Sequence, residues 1–273
     1  MRRPLILNAP ASDRGTLFEK LRAIAEGGFD GFFASRCAKV SASVAEARQG
    51  AEEYGLLLQS VHAPFVGVAS LWDDGEAGEA ALTELLACVE DCAAAEVELM
   101  ICHAFIGFDR HCPTALGIER FGRLLRRAEM LGVSVALENT EGEEYLAALL
   151  DAFSGMRHVG FCWDSGHELC YNRKDMLRLY GDRLLGTHLN DNLGVRASDG
   201  VITPRDDLHL LPFDGIGDWQ GFARRLSALP FDGPLTFELK PSPELPFAAY
   251  AREAHSRAER FASLVRSCAS RRG

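Results

Sequence analysis

Short apolar runs recur along the chain, each with a two-residue alternation and each closing on a histidine or an acid. The run SVALENT shows the pattern most plainly: Val135 and Leu137 point one way, and Ser134, Ala136 and Glu138 the other. That period of two is a strand's. The same grammar returns in LLLQSVHAPF, which closes on His62, and in LMICHAF, which closes on His103. It returns again in VGFCWDSGH (Asp164, His167), LLGTHLND (His188, Asp191) and PLTFELK (Glu238). Two residues before the closing positions stand Ser60, Ile101, Ala136, Cys162, Gly186 and Thr236, all but one of them small, while the opposite face is mostly large or branched. A narrow face backed by a bulky one describes the strands of a tight barrel with helices packed outside.

LILNAP (5–10) and GFFAS (31–35) bring the expected strands to eight. Helical signals fill the gaps. Thr16–Glu19 and Ser43–Glu46 are capping boxes, the first helix ending near Gly27 and Gly28 and the second at Tyr54 before Gly55. Further helices are expected over 79–95, 115–131, 143–153, a short 173–181, 218–229 behind Asp218, and 246–268. Loops are expected at 66–78 and 106–114, and the longest irregular stretch at 192–217. A loop of that length after a strand reads as a lid or binding loop. The closing residues are spaced about 24 to 50 apart, against roughly 30 for one strand-helix unit. With 273 residues and about 250 needed for a (β/α)8 barrel, the expectation is an α/β protein, one (β/α)8 barrel domain over 1–273.

Composition changes this picture little. The chain is 47% hydrophobic and 25% charged, ordinary for a soluble globule. A net charge of −10 weakly disfavours a polyanion-binding surface. No run approaches the roughly 20 apolar residues of a membrane span. MRRPLILNAP reads as a first strand rather than a signal peptide. The cysteines, at 37, 88, 92, 102, 112, 162, 170 and 268, form no CxxC pair and are expected to be reduced thiols in a cytoplasmic protein. Cys88 and Cys92 share a helix face.

The chemistry lies at the closing residues. An acid on the narrow face of an apolar strand needs a partner, because an unpaired buried carboxylate costs several kcal/mol or more. An internal lysine or arginine would serve Glu138 or Glu238, but the strands offer few, Lys240 being the nearest. His62 or His103 alone could be a hydrogen-bonded core histidine. Asp164 and His167 could be a helix N-cap with a surface histidine, and Asp207 and His209 polar residues of a solvated loop. Gly215 and Gly217 could cradle an anion or merely turn the chain. Asp191 could orient a ligand from behind. Taken together, His and acid at the same end of six strands point to a bound divalent metal. Mixed imidazole and carboxylate ligands suit Mn, Zn, Co or Fe better than Mg.

VHAP, ENT, DSGH, HLND, the DLH…DGIGDW segment and FELK make the chain resemble the xylose-isomerase-like TIM-barrel superfamily over nearly its whole length. This superfamily holds sugar isomerases and epimerases, inosose dehydratase-like and hydroxypyruvate isomerase-like enzymes, and the endonuclease IV enzymes. By resemblance to the epimerases, Glu138, Asp164, His188 and Glu238 hold one metal, with Glu138 and Glu238 as base and acid on either side of a carbon next to a carbonyl, working through an enediolate. His167 then binds substrate oxygens. Independently of the resemblance, His62, His103, Asp191 and Lys240 are expected to line the substrate. By resemblance to the endonucleases, His62, His103, His167, Asp207 and His209 are further ligands, raising the metal count to two or three. The implied activity is metal-dependent sugar or sugar phosphate isomerisation or epimerisation, with a multi-zinc phosphodiesterase or a sugar dehydratase or lyase as alternatives. A small carbohydrate is the expected partner, nucleic acid and membrane are not, and a homo-oligomer is compatible with the chain.

Overall fold

A computed structural model describes residues 2–10, 15–36, 42–108 and 112–270. Cys37 lies outside them. The strands are β1 (Leu5–Asn8), β2 (Gly31–Ser35), β3 (Leu57–His62), β4 (Leu99–His103), β5 (Ser134–Glu138), β6 (Val159–Asp164), β7 (Leu184–His188) and β8 (Leu235–Phe237). The helices are α1 (Leu17–Gly27), α2 (Val44–Tyr54), α3 (Glu76–Ala94), α4 (Ala115–Met130), α5 (Glu143–Ala152), α6 (Ser165–Cys170), α7 (Met176–Tyr180), α8 (Trp219–Leu226) and α9 (Phe247–Ala269). The eight strands form one sheet in the order β7-β6-β5-β4-β3-β2-β1-β8. Leu189 bridges Phe237 in parallel beyond the ends of β7 and β8, which brings the two edges together. The protein is a single (β/α)8 barrel, as the alternation of the runs predicts.

Two apolar layers follow from the alternation. Residues pointing outward, such as Val135, Leu137 and Phe161, join the large core between sheet and helices. Ile101, Ala136 and Cys162 form a separate small cluster inside the ring, with Leu99 and Leu185 packed on it. Gly186 belongs to that interior, since a Cβ on it would meet Ile101 at 3.5 Å. Small side chains are what a closed ring of this size accommodates at its centre. Two residues farther along each strand, the interior layer becomes polar. His103 pairs in register with Glu138, and Asp164 with His188. Cross-strand register therefore sets His103 beside Glu138 and Asp164 beside His188 at the C-terminal mouth.

Both capping boxes are present, at Thr16 and Ser43. Three boundaries differ from expectation. A helix starts directly at Ser165, ahead of the one expected from 173, because the Asp164 carboxylate accepts the His167 backbone N–H and caps the turn; the N-cap reading of Asp164 is met, but His167 is buried rather than on the surface. β8 stops at Phe237, so Glu238 lies one residue past the ladder. Within 66–78, Val68–Trp72 forms a tight helical turn and α3 opens at Glu76. Buried Trp72 donates its indole N–H to Ala104 O at 2.9 Å, which gives that segment a fixed seat.

Candidate metal centre

Nine of the eleven residues singled out in the sequence meet at the barrel mouth. Glu138 is at the centre and fully buried. Its Oε1 accepts from His188 Nδ1 at 2.7 Å. Its Oε2 faces His103 Nε2 at 3.2 Å and His62 Nε2 at 3.3 Å. Glu238 approaches from the end of β8, its Oε2 lying 3.1 Å from the same His188 Nδ1. The Asp164 carboxylate is held on both oxygens, by the His167 backbone N–H at 2.7 Å and by Asn190 Nδ2 at 2.9 Å. Asp207 bonds His209 Nε2 at 2.8 Å and His167 Nε2 at 3.3 Å. No lysine or arginine shares in this cluster among the described residues, so the carboxylates are not half of an ordinary salt bridge.

The imidazoles are aimed by their second nitrogens. Nδ1 of His62 lies 2.9 Å from Ala63 O, Nδ1 of His167 lies 3.0 Å from Asn139 O, and Nδ1 of His209 lies 3.1 Å from Glu238 O. A carbonyl can only accept, so in each ring Nδ1 carries a proton; Nε2 faces the cluster, where it would offer a lone pair to a bound cation, and without one the Nε2 of His167 and His209 donate to Asp207. Metal-ligating histidines are commonly fixed in this way. Aromatic rings brace them: Phe33 stacks on His188 at 4.8 Å, Phe65 on His103 at 5.0 Å and Tyr171 on His167 at 5.3 Å between centroids.

This arrangement fits a cation. Glu138 Oε2 is buried with no hydrogen bond of good geometry, although two imidazole nitrogens stand close to it. His62 Nε2 and His103 Nε2 are themselves 3.2 Å apart. Lone pairs gathered this tightly repel unless protons or a metal ion lie among them. One ligand atom each from Glu138, Asp164, His188 and Glu238 lies within 4.8 Å of the others. The trios His62, His103, Glu138 and His167, Asp207, His209 meet the same criterion.

Without a cation, protons hold the charges together. Burial pulls His188 down, and Glu138 and Glu238 more than offset it, leaving the imidazole well above its ordinary range. Burial likewise pulls His167 down, and Asp164 and Asp207 raise it well above that range. His209, buried beside Asp207, ends at about 10. Burial wins at His103, which is lowered. Burial pushes Glu138 up, but His188, His103 and His62 hold it well below the usual carboxylate value. Glu238, against burial, is brought by His188 to about 2. Asp164 rises to about 6, chiefly by burial.

His209 has a φ of +48°, a left-handed conformation that costs a non-glycine residue roughly 1–2 kcal/mol. Its carbonyl accepts the Lys240 N–H at 3.0 Å, and the adjacent Leu210 pairs with Asp191 in both directions. The long loop is thus tied to the barrel where it delivers Asp207 and His209. The loop reading of these two as solvated polar residues does not hold.

Two residues stand elsewhere. Asp191 is buried and its carboxylate is taken up by Trp219 Nε1 at 2.7 Å, Gly217 N at 2.9 Å and Asn192 N at 2.8 Å. It pins the segment before α8 and has no oxygen turned to a substrate. The same contacts correct the anion-cradle reading of Gly215 and Gly217: a Cβ on Gly215 would fall 2.4 Å from Asp191 Oδ1, so the cradle holds that side chain. Lys240 is exposed and lines a neighbouring cavity.

A cavity of about 220 Å³ opens above the cluster, lined among others by His62, His103, His167, Asp207, His209 and Glu238. Glu141 lines it too, a loop residue that no strand alternation marks in the sequence. Its carboxylate accepts the Gly107 N–H at 2.7 Å and is raised by burial. Asn139 was also missed. Its amide donates to Asp164 O and accepts from Asp164 N, both at 2.8 Å, locking β5 to β6 behind the cluster. The ENT motif held the signal: a buried polar residue directly after an apolar strand must find partners.

No helix among the described residues is long and apolar enough to cross a membrane. The family model described as xylose isomerase-like TIM barrel matches residues 21–260. The uncharacterized protein y4fM of Sinorhizobium fredii (strain NBRC 101917 / NGR234) is 35% identical over 147 residues, 51% of this chain and 44% of that protein, so the match spans less than half of the relative. Among solved structures, a xylose isomerase-like TIM barrel/4-hydroxyphenylpyruvate dioxygenase fusion protein superimposes at TM-score 0.75 with 18% identity, over 94% of this chain and 42% of that one. An L-ribulose 3-epimerase gives a TM-score of 0.76 with 13% identity over 98% of this chain and 97% of its own. The IOLI protein, solved with a binding zinc atom, gives 0.71 with 18% identity over 96% and 98%. Matched by the family model over most of its length, this chain belongs to the xylose isomerase-like TIM barrel family.

Proposed function

We propose that the protein is a divalent-metal-dependent sugar isomerase or epimerase that moves a proton at the carbon beside a carbonyl. The observation that carries this reading is the meeting of two carboxylates, Glu138 and Glu238, at one imidazole nitrogen, His188 Nδ1. Glu138, Asp164, His188 and Glu238 would hold the ion. When bound, a Mn, Zn or Co ion supplies Lewis acidity to a substrate oxygen.

The protein's own groups account for the proton. Glu138 and Glu238 are both held ionised, and they come from β5 and from the end of β8, on either side of β7. Glu238 faces the cavity, whereas Glu138 lies behind His62 and His103. Glu238 is therefore the carboxylate placed to take a proton from substrate carbon, with Glu138 its counterpart on the other side. His167, Asp207 and Glu141 present hydrogen-bonding atoms to a sugar hydroxyl. The cavity lining includes no lysine or arginine among the described residues. A phosphate would meet carboxylates there, which favours an uncharged sugar.

The test is incubation of the metal-loaded protein with ketopentoses and ketohexoses in deuterated water. Metal-dependent deuterium gain next to the carbonyl is expected. Absence of label with every sugar, on protein carrying its metal, would refute the reading. A multi-zinc phosphodiesterase is the second reading, favoured by the two additional trios of ligand atoms. Close to three zinc ions per chain, with cleavage of an abasic-site duplex, would establish it instead.

A further inference from the structure

A second and larger cavity, of about 750 Å³, adjoins the first. The two share His209 and Glu238 in their walls. The larger chamber thus begins at the side chains proposed to handle the substrate. It lies between the end of β1 and the segment joining β8 to α9. Pro10, Leu239, Pro241, Leu245 and Phe247 give it an apolar lining.

The chamber is built rather than incidental. Asn8 exchanges two side-chain hydrogen bonds with the Leu239 backbone, at 2.9 and 3.0 Å, which ties its two walls together. Tyr250 Oη donates to Lys240 O at 3.1 Å and anchors the connecting segment to α9. Pro241, Pro243 and Pro246 restrict that segment's backbone further. Leu245 is 47% exposed within this concave surface, and apolar surface in a preformed hollow is what apolar ligands bury. Among the described residues of the lining Lys240 is matched by Glu244 on the same segment, so these residues offer no surplus of positive charge to hold a phosphate.

Size completes the argument. Small-molecule sites run from roughly 300 to 1,000 Å³. The metal-side cavity falls below that range and its neighbour lies well inside it. We infer that the second chamber receives an apolar, ring-sized substituent carried by the sugar, so that the substrate is an ether of an aromatic or similar group, with the sugar carbonyl left free, rather than an unsubstituted monosaccharide. This rests on the sugar-enzyme reading of the adjoining cavity.

The experiment compares D-fructose with its 1-O-benzyl and 6-O-benzyl ethers, which leave the carbonyl free, by calorimetric titration of the metal-loaded protein. At least one benzyl ether should bind about tenfold or more tighter than fructose, the gain expected from burying a phenyl ring. Leu245→Asp and Phe247→Ala should each abolish that gain and leave fructose affinity and metal content unchanged. Leu245 is exposed, so its variant tests the chamber without disturbing the core. Fructose binding with no benzyl advantage, or an advantage that survives both substitutions, overturns this inference and leaves the sugar reading standing. Failure of all three ligands to bind metal-loaded protein overturns both.

Discussion

His188 Nδ1 lies 2.7 Å from Glu138 Oε1, although the two residues are separated by 50 positions and by the whole of β6. The contact runs across the inside of the ring, and the Phe33 ring stacked on the imidazole at 4.8 Å fixes its plane. Glu238 reaches the same nitrogen from the other side at 3.1 Å. A shared proton, or a cation in its place, is what makes such a gathering stable.

Glu138→Gln should therefore lose metal. The substitution keeps the shape and removes the charge that three imidazoles surround. Disturbing groups that merely support a ligand costs about 10–100-fold in affinity, and loss of this carboxylate should cost at least ~100-fold. Elemental analysis after dialysis against a dilute chelator is the measurement. Full metal retention would remove Glu138 from the ligand set.

Metal-free protein should show a stability that depends on the His209 proton. The imidazole is raised from 6.5 to about 10, chiefly by Asp207 against burial. Folding binds that proton more tightly, so the contribution is complete below pH 6.5 and fades as pH rises toward 10. His209→Gln should flatten this slope in denaturant melts of chelator-treated protein. Metal affinity should run the opposite way, rising with pH as the ligands shed protons. A wild-type slope identical to that of the variant would refute the assignment.

Asp191→Ala should be a stability variant with its metal intact. Trp219, Gly217 and Asn192 all lose their acceptor in a buried place. Stranding buried donors costs about 1–3 kcal/mol each where no water replaces the partner, so a loss of about 2–4 kcal/mol is expected. Chemical denaturation alongside metal analysis checks it. Loss of metal or sugar affinity at unchanged stability would return Asp191 to the site.

Two glycines of the barrel should respond oppositely to alanine. At Gly186 a Cβ would find ordinary contacts, the nearest 3.5 Å away. Gly186→Ala should be neutral or stabilising by up to about 1 kcal/mol. At Gly31 it would fall 2.2 Å from Leu57 O, a backbone atom that cannot step aside. Gly31→Ala should cost about 3 kcal/mol or more as strand spacing is forced apart. Thermal melts of the two variants give the comparison, and a harmless Gly31→Ala would contradict the described packing of β2 on β3.

By itself the sequence determined the ring. Alternation with a period of two, small residues such as Ala136 and Cys162 on one face, and capping boxes at Thr16 and Ser43 are local signals, and local sterics suffice to read them. It also placed the acids and imidazoles at the strand ends, because a charge closing an apolar run is conspicuous. Tertiary structure alone decided which of them meet. Asp191 and His188 are three residues apart on the same strand end, yet one turns into the cluster and the other is consumed by Trp219. Asp207 and His209 sit in a long loop that looks solvated, yet that loop folds back, at the expense of a strained His209, to complete the mouth. Glu141 and the chamber beyond Glu238 left no periodic trace at all. Hydrogen-bond partners and concave surfaces are made by segments far apart in the chain, and their geometry exists only once the barrel has closed.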